Sequence, residues 1–251
     1  MVASTAPSRL KFIVIASGRN NFPSTPSNDR IGRNVKKMIA VEKRIGFATS
    51  GVPLALIDAL LAQGARELTI VSNHAGNGNS GLAALLAAGR VRKIVCSFPR
   101  HKDSWVFDSL FRAGRIELEL VPQGTLAERI RAAGAGVGAF YTPTAYGTEL
   151  ATGKETRVID GKPHVLEYAL HGDVALVRAE RGDRWGNLVY RKAGRNFGPI
   201  MAAAARTTIA QVREIVSLGA LDPEAIVTPG IFVKRIVRVA DAGAERGCDA
   251  A

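Results

Sequence analysis

The sequence predicts an α/β fold: an open, mainly parallel sheet with helical crossovers and an antiparallel subregion in the second half. One observation is a pattern that occurs twice in residues 46–100, in which a glycine-rich turn opens a short apolar helix that leads into a β-branched strand. Parallel strands need such crossovers, because the end of one strand and the start of the next lie at opposite edges of the sheet. A second observation is an Asp-Gly pair between two short β-prone runs further along, which favours an antiparallel hairpin.

The first copy of this pattern covers residues 46–72. Its turn, residues 46–51, is followed by Pro53, and proline is tolerated at the start of a helix. Leucine and isoleucine then recur at helical spacing over residues 54–61, and Gly64 ends the run. Residues 67–72 are predicted to form the strand.

The second copy has its turn at residues 75–81, its helix at residues 82–88 and its strand at residues 91–98. Glycine turns at helix N-termini present backbone N–H groups and the positive end of the helix dipole. We therefore expect both turns to be places for a phosphate or a carboxylate.

Beyond Arg100 the sequence predicts a helix at residues 104–113, a strand at 116–121 and a helix at 126–133, with Thr125 as its N-cap. Residues 135–147 are rich in Gly and Pro but also apolar and aromatic, which favours a loop packed in a cleft.

The second half alternates short β-prone segments with one small-residue helix. The predicted elements are a hairpin of residues 156–159 and 164–168 around Asp160-Gly161, strands at 173–178 and 187–191, a helix at 199–205, and apolar segments at 208–216, 226–227 and 231–239. No internal linker or repeat period is visible, so these elements are expected to pack into one domain.

Composition limits the protein class. The chain has 251 residues and no apolar run near the roughly 20 residues that a membrane helix needs. Residues 12–16 are too short for a signal peptide, and Cys96 and Cys248 show no zinc or disulfide spacing, so the expected location is the cytoplasm.

The formal net charge of +12 is unevenly distributed. Residues 1–44 contain nine Lys/Arg and two Asp/Glu, so this segment carries +7 of the excess. We interpret it as an atypical basic N-terminal segment, a leader or a poorly ordered arm, rather than a nucleic-acid-binding face. The predicted domain spans residues 45–240, and a polar tail covers residues 241–251.

Several catalytic patterns are weak or incomplete. Gly76-x-Gly78-x-x-Gly81 matches a dinucleotide fingerprint, but the expected ribose-binding acid is replaced by the segment Ser97-Phe-Pro-Arg100. Neither Ser50 nor Ser80 lies in G-x-S-x-G. Cys96 lies in an apolar strand, where an inert buried thiol is expected. The four histidines (His74, His101, His164, His171) show no metal spacing, and no metal site is predicted.

The whole segment from Gly46 to about Val239 resembles the A subunits of the two-subunit 3-oxoacid and 3-oxoadipate CoA-transferases. The likeness rests on GF-x3-G-x-P at residues 46–53, NHAGNG at 73–78, VRKIVCSFPR at 91–100, VPQGTLAERIRAAGAGVGAFYTPTAYGT at 121–148, GDRWGNLVYRKAGRNFGP at 182–199 and IVTPGIFV at 226–233. The SFPR and DRWGN versions are most similar to the 3-oxoadipate branch, which serves the degradation of aromatic acids. The acetoacetate branch is the neighbouring alternative.

This resemblance implies a CoA-transferase-like fold and a division of labour. A homologous B subunit, in a heterodimer or heterotetramer, would carry the nucleophilic glutamate in a Ser-Glu-Asn-Gly or similar context, and no such context occurs here. Succinyl-CoA and 3-oxoadipate would be substrates, so no cofactor, nucleic acid or membrane is expected. An alternative from another functional class is also left open: the chain could be a non-catalytic or NADP-binding protein with glycine turns.

The resemblance also implies site residues. The proposed CoA-contacting loop comprises Ile45, Gly46, Phe47, Ala48, Thr49, Ser50 and Gly51. Gln123 matches a glutamine that faces the active site, and Asn73 matches the first of an Asn-Asn pair near the substrate; both would support catalysis, with no catalytic residue in this chain itself. The second Asn is His74 here. Ile45 replaces a family glycine, and we hypothesise that residues 1–44 reflect an altered start or reading frame.

Overall fold

A computed structural model describes residues 51–100 and 103–239, together with the backbone of residues 12–15. The strands are β1 (Phe12–Ile15), β2 (Leu68–Val71), β3 (Val91–Cys96), β4 (Glu117–Leu120), β5 (Ala139–Thr142), β6 (Thr156–Ile159), β7 (Lys162–Tyr168), β8 (Gly172–Asp183), β9 (Leu188–Val189), β10 (Ala205–Val216) and β11 (Arg235–Arg238). The α-helices are α1 (Leu54–Gln63), α2 (Leu82–Ala87), α3 (Trp105–Arg112), α4 (Gln123–Gly134) and α5 (Gly198–Ala204).

An eight-stranded sheet forms the centre of the domain, in the order β11-β10-β8-β1-β2-β3-β4, with β9 attached to β8. All neighbours along this order are parallel, and only β9 runs antiparallel to its partner. The predicted open, mainly parallel sheet is therefore confirmed. Strand β1 pairs with both β2 and β8 at the middle of this sheet, although it belongs to the segment of residues 1–44 that the sequence analysis set apart from the domain.

The antiparallel subregion is a separate three-stranded sheet in the order β5-β7-β6. Its hairpin turns at Asp160 (φ 49°) and Gly161 (φ 73°), and two consecutive positive φ angles are what an Asp-Gly hairpin turn requires. The prediction that residues 135–147 form only a loop is wrong, because β5 lies inside them. The half-buried residues of β5 pair with β7, a partner that lies far along the chain and leaves no local signal.

The core is divided between the two faces of the main sheet. Consecutive strand residues point to opposite faces, so Ile70 packs with one cluster and Val71 with the other. Helices α1, α2 and α3 cover the first face, with Ile57, Leu85 and Phe107 buried against it. Helices α4 and α5 cover the second face and pack against each other.

Helix α4 begins earlier than the sequence predicts. Pro122, rather than Thr125, is the N-cap, because the Pro122 carbonyl accepts the hydrogen bond of Leu126 N–H at 2.8 Å. Thr125 instead lies inside the first turn and is buried. The start matters for the site, because it makes Gln123 the first residue of the helix. Within the described parts of the chain, no helix is long and apolar enough to span a bilayer.

Candidate functional site

Three polar side chains follow three neighbouring strands of the main sheet. Asn73 comes two residues after β2, Ser97 directly after β3, and Gln123 three residues after β4. Strands β2, β3 and β4 are parallel, so their carboxyl ends lie at one edge of the sheet. Crevices at this edge of parallel α/β sheets are where ligands bind most often.

Hydrogen bonds connect the three side chains through Asn73. Gln123 Nε2 donates to Asn73 Oδ1 at 3.2 Å, and the Ser97 hydroxyl donates to the same oxygen. Asn73 is 4% exposed, whereas Gln123 is exposed at the start of α4. The structure therefore brings together the two residues that the resemblance proposed, Asn73 and Gln123, and adds Ser97, for which the sequence analysis proposed no role.

The amide groups of this cluster leave uncharged donors and acceptors for a ligand. Among the described residues, Asn73 Nδ2 and Gln123 Oε1 have no hydrogen-bond partner, because the contacts of the two amides all converge on Asn73 Oδ1. Primary amides offer N–H donors without adding charge. Such donors are suited to orienting a carbonyl or carboxylate oxygen, including one on which negative charge develops.

His74, which stands where the family has its second Asn, is tied to the neighbouring glycine turn. Its Nδ1 accepts the Gly76 N–H at 2.9 Å, so this ring nitrogen serves the local backbone rather than a ligand. The backbone of His74 also bridges to Phe98, which continues the β2–β3 pairing past Asn73. Among the described residues, no group of three His, Cys, Asp or Glu side chains is placed to hold a metal ion.

Two N–H groups of the Gly76–Gly81 turn are already bonded within the protein. Gly76 N–H donates to His74, and Gly78 N–H donates to the Asp103 carbonyl at 2.8 Å. A Cβ at Gly76 would lie 2.6 Å from Ala83 N, and its φ is +90°, so this glycine is needed for a close approach of two backbone segments. The N–H groups of Gly76 and Gly78 are therefore not free to bind the pyrophosphate of a dinucleotide.

Gly51 is the one residue of the proposed CoA-contacting loop, Ile45 to Gly51, inside the described part of the chain; residues 45–50 lie outside it. It is buried against the segment that follows β9. A Cβ at Gly51 would lie 2.5 Å from the Gly194 carbonyl oxygen and would also overlap the Asn196 side chain. Packing against residues 194–196 therefore explains this glycine without a ligand, and its contact with CoA stays a prediction.

The turn of residues 183–187 is held by one buried carboxylate. Asp183 Oδ1 accepts the N–H groups of Trp185 (3.0 Å) and Asn187 (3.1 Å), and Asp183 Oδ2 accepts Asn187 Nδ2 at 2.8 Å. Asn187 Oδ1 in turn accepts Gly230 N–H at 2.9 Å. These contacts join two of the sequence segments that carry the family resemblance, and they explain physically the Asp and Asn of the first segment and the Gly230 of the second.

The side chains of Cys96 and of three glutamates are accounted for by burial, ion pairs or solvent exposure. Cys96 is fully buried, and burial raises the pKa of its thiol to about 12, so it is confirmed as an inert core residue. Glu128 pairs with Arg131 at 2.5 Å, Glu180 pairs with Arg213 at 2.6 Å, and Glu149 is exposed. No nucleophile is evident among them.

Comparison with known families identifies the chain. The model of the family described as coenzyme A transferase matches residues 44–239. The chain belongs to the coenzyme A transferase family. Its similarity to individual members is high: it is 69% identical over 199 residues to the A subunit of 3-oxoadipate CoA-transferase from Pseudomonas putida, covering 79% of this chain and 86% of that protein.

A second relative represents another branch of the coenzyme A transferases. The A subunit of succinyl-CoA:3-ketoacid coenzyme A transferase from Xanthomonas campestris pv. campestris (strain B100) is 53% identical over 192 residues, which cover 76% of this chain and 78% of that protein. Among solved structures, glutaconate coenzyme A-transferase from Acidaminococcus fermentans aligns with a TM-score of 0.66 at 22% identity, over 76% of this chain and 68% of that one. That likeness confirms the fold, and the two relatives confirm the enzyme class that the sequence predicted.

Proposed function

We propose that this chain is the A subunit of a heteromeric CoA-transferase that moves CoA from succinyl-CoA to 3-oxoadipate, giving 3-oxoadipyl-CoA and succinate. The observation that carries this proposal is the 69% identity, over most of both chains, to a relative named as the A subunit of a 3-oxoadipate CoA-transferase. Aromatic-acid degradation would be its metabolic setting, and the cytoplasm its location.

The chain's own contribution is to bind and orient the acyl group. Asn73 and Gln123 present uncharged amide groups at the carboxyl edge of the sheet, where Gln123 Nε2 lies 3.2 Å from Asn73 Oδ1. When a carboxylate attacks a thioester, negative charge develops on the carbonyl oxygen, and preorganised donors stabilise that charge. An amide does this without adding a charge to the site.

The nucleophile is assigned to a B subunit, because no glutamate of this chain is followed by Asn-Gly. Its carboxylate attacks the succinyl-CoA carbonyl, the C–S bond breaks, and CoA leaves as a thiolate from an acyl-glutamyl anhydride. The thiolate then attacks the glutamyl carbonyl, which releases succinate and leaves a glutamyl thioester. The carboxylate of 3-oxoadipate repeats the two steps in reverse order and departs as the new thioester.

A second acceptor within the same class is a shorter 3-oxo acid such as acetoacetate. The 53% identity to a relative from the succinyl-CoA:3-ketoacid coenzyme A transferases makes such an acid the second candidate acceptor. The two acceptors differ by a second carboxylate, so the ratio of kcat/KM values for 3-oxoadipate and acetoacetate decides between them. We expect a ratio of at least about 10² in favour of 3-oxoadipate.

To test this proposal, the chain is purified with and without a co-expressed B subunit. CoA transfer from succinyl-CoA to each acceptor is then assayed. Turnover is expected only in the presence of the partner, and borohydride trapping followed by peptide mass is expected to place the label on a partner glutamate. Turnover by this chain alone, or a label on one of its own glutamates, contradicts the division of labour.

Thermal stabilisation by NADPH but by neither CoA nor succinyl-CoA would favour the nucleotide-binding function instead. Light scattering of the purified complex distinguishes a heterodimer from a heterotetramer.

A further inference from the structure

The orientation of the Asn73 side chain depends on a residue to which neither the sequence nor the comparisons assign a role. We propose that Ser97 is a positioning residue that holds the Asn73 amide with its oxygen turned inward and its N–H groups turned toward the substrate. This inference rests on the proposed function. It concerns how the site is preorganised rather than which acid it serves.

The hydrogen bonds around Asn73 determine where the Ser97 proton goes. Ser97 Oγ lies within reach of two oxygens of Asn73, the backbone carbonyl at 3.3 Å and Oδ1. The backbone carbonyl already accepts the N–H groups of Ser97 (3.3 Å) and Phe98 (2.9 Å). A carbonyl oxygen has two lone pairs, so the single hydroxyl proton is directed to Oδ1.

This donor decides between two orientations of the amide. A primary amide can turn by 180° and exchange its oxygen for its NH₂ group at little steric cost, so its hydrogen bonds select the orientation. With Oδ1 held by Ser97, Asn73 Nδ2 is left without a partner among the described residues. In the opposite orientation the amide would offer the substrate an acceptor instead of two donors.

Ser97 can do this throughout the reaction, whereas Gln123 cannot. Gln123 is exposed, and its Nε2 contact with Asn73 at 3.2 Å is lost whenever that amide turns to a ligand. Asn73 is 4% exposed and Ser97 directly follows β3, so their contact lies between two strand ends held by the sheet. Ser97 therefore keeps Asn73 oriented while Gln123 binds substrate.

The test compares Ser97→Ala with wild type, each in the complex with its B subunit. We expect kcat to fall about 5- to 10-fold with KM for succinyl-CoA changed less than about 2-fold, because an orienting contact acts mainly in the transition state. Ser97→Thr, which keeps the hydroxyl, is expected to recover kcat to within about 2-fold of wild type. Ser109→Ala removes an exposed hydroxyl from α3 and is the matched control, with no expected change.

A double-mutant comparison separates positioning from a general structural effect. In an Asn73→Ala background, Ser97→Ala is expected to lower kcat by less than about 2-fold, because the group that it orients is gone. An equal loss of kcat in both backgrounds, or unchanged kcat in Ser97→Ala, overturns the inference.

A spectroscopic readout judges the inference independently of turnover. In the complex in which this chain carries ¹⁵N-asparagine, the Asn73 side-chain amide is expected to give one sharp pair of resonances, which doubles or broadens in Ser97→Ala as the two orientations exchange. An unaltered pair contradicts the positioning role. A wild-type complex that turns over no 3-oxo acid would overturn the proposed function, while this measurement still decides on Ser97.

Discussion

The side-chain amides of Asn73 and Gln123 meet at 3.2 Å although the two residues are 50 positions apart in the chain. Each follows a strand of the same parallel sheet, and β3 lies between those strands. The contact exists because parallel strands end at one edge, where α4 begins directly after β4. The candidate site is thus assembled by sheet topology, and its parts can be tested separately.

Replacement of Gln123 by Ala in the complex with the B subunit is expected to lower kcat for CoA transfer by about 10- to 100-fold, with KM for succinyl-CoA changed less than about 3-fold. The reason is that an orienting amide acts most on the charge that develops in the transition state. Steady-state kinetics at saturating 3-oxoadipate measure both constants. Gln63→Ala, which removes an exposed glutamine at the end of α1, is the control. Unchanged kcat and KM would make Gln123 only a helix-terminal residue.

Replacement of Gly51 by Ala is expected to lower the free energy of unfolding by about 1–3 kcal/mol. Its Cβ would lie 2.5 Å from the Gly194 carbonyl oxygen, so the backbone must move. Gly138→Ala is the control, because a Cβ there meets no atom within 4 Å. Urea denaturation measures the difference. Gly51→Val is expected to raise KM for the CoA ester as well, and a raised KM with unaltered stability would show a ligand contact rather than packing.

Replacement of Glu167 by Gln is expected to destabilise the fold by about 2–4 kcal/mol. The Glu167 carboxylate is 3% exposed and lies 2.6 Å from Lys154 Nζ and 3.8 Å from Arg129 Nε. Arg129 also pairs with Glu119 at 2.9 Å, so these ion pairs connect β7 of the small sheet to β4 of the main sheet through α4. Removing the buried charge takes away the carboxylate that pairs with Lys154 and leaves Arg129 with Glu119 alone.

The control for Glu167 is Glu128→Gln, in which an exposed helical pair with Arg131 is broken. Its expected cost is below about 0.5 kcal/mol, since solvent screens such a pair. Equal costs for the two variants, measured by urea denaturation at one ionic strength, would show that burial does not strengthen the Glu167 contacts.

Cys96 is expected to resist alkylation by iodoacetamide in the folded protein at pH 8 and to remain unreactive at pH 10. Burial raises the pKa of this thiol to about 12, so it stays protonated across that range. In the unfolded chain the thiol ionises near its ordinary pKa of about 8.5. Above that pH the unfolded state therefore loses protons that the folded state keeps, and stability falls as pH rises toward 12. Peptide mapping separates Cys96 from Cys248; rapid native labelling of Cys96 contradicts the prediction.

Local sequence determined the helices and strands from α1 to β4 and the turn between β6 and β7. Gly64 ends α1 in a left-handed conformation, and Asp160-Gly161 forms the hairpin turn, as their residue types require. Helical spacing and β-branched runs placed α1, α2, α3 and the intervening strands to within a few residues, because these signals are carried by neighbours in the chain. The proposal of Asn73 and Gln123 as site residues came from resemblance rather than from pattern.

Tertiary structure alone decided the contacts made over long separations. Strand β5 exists because β7 supplies its partner, and β8 extends to Asp183 because β10 pairs along its whole length. Ser97 gained its role only when the ends of β2 and β3 lay side by side, which put its hydroxyl on Asn73. Hydrogen bonds between strand ends depend on which strands are neighbours, and strand order is a property of the folded sheet that no local stretch of residues encodes.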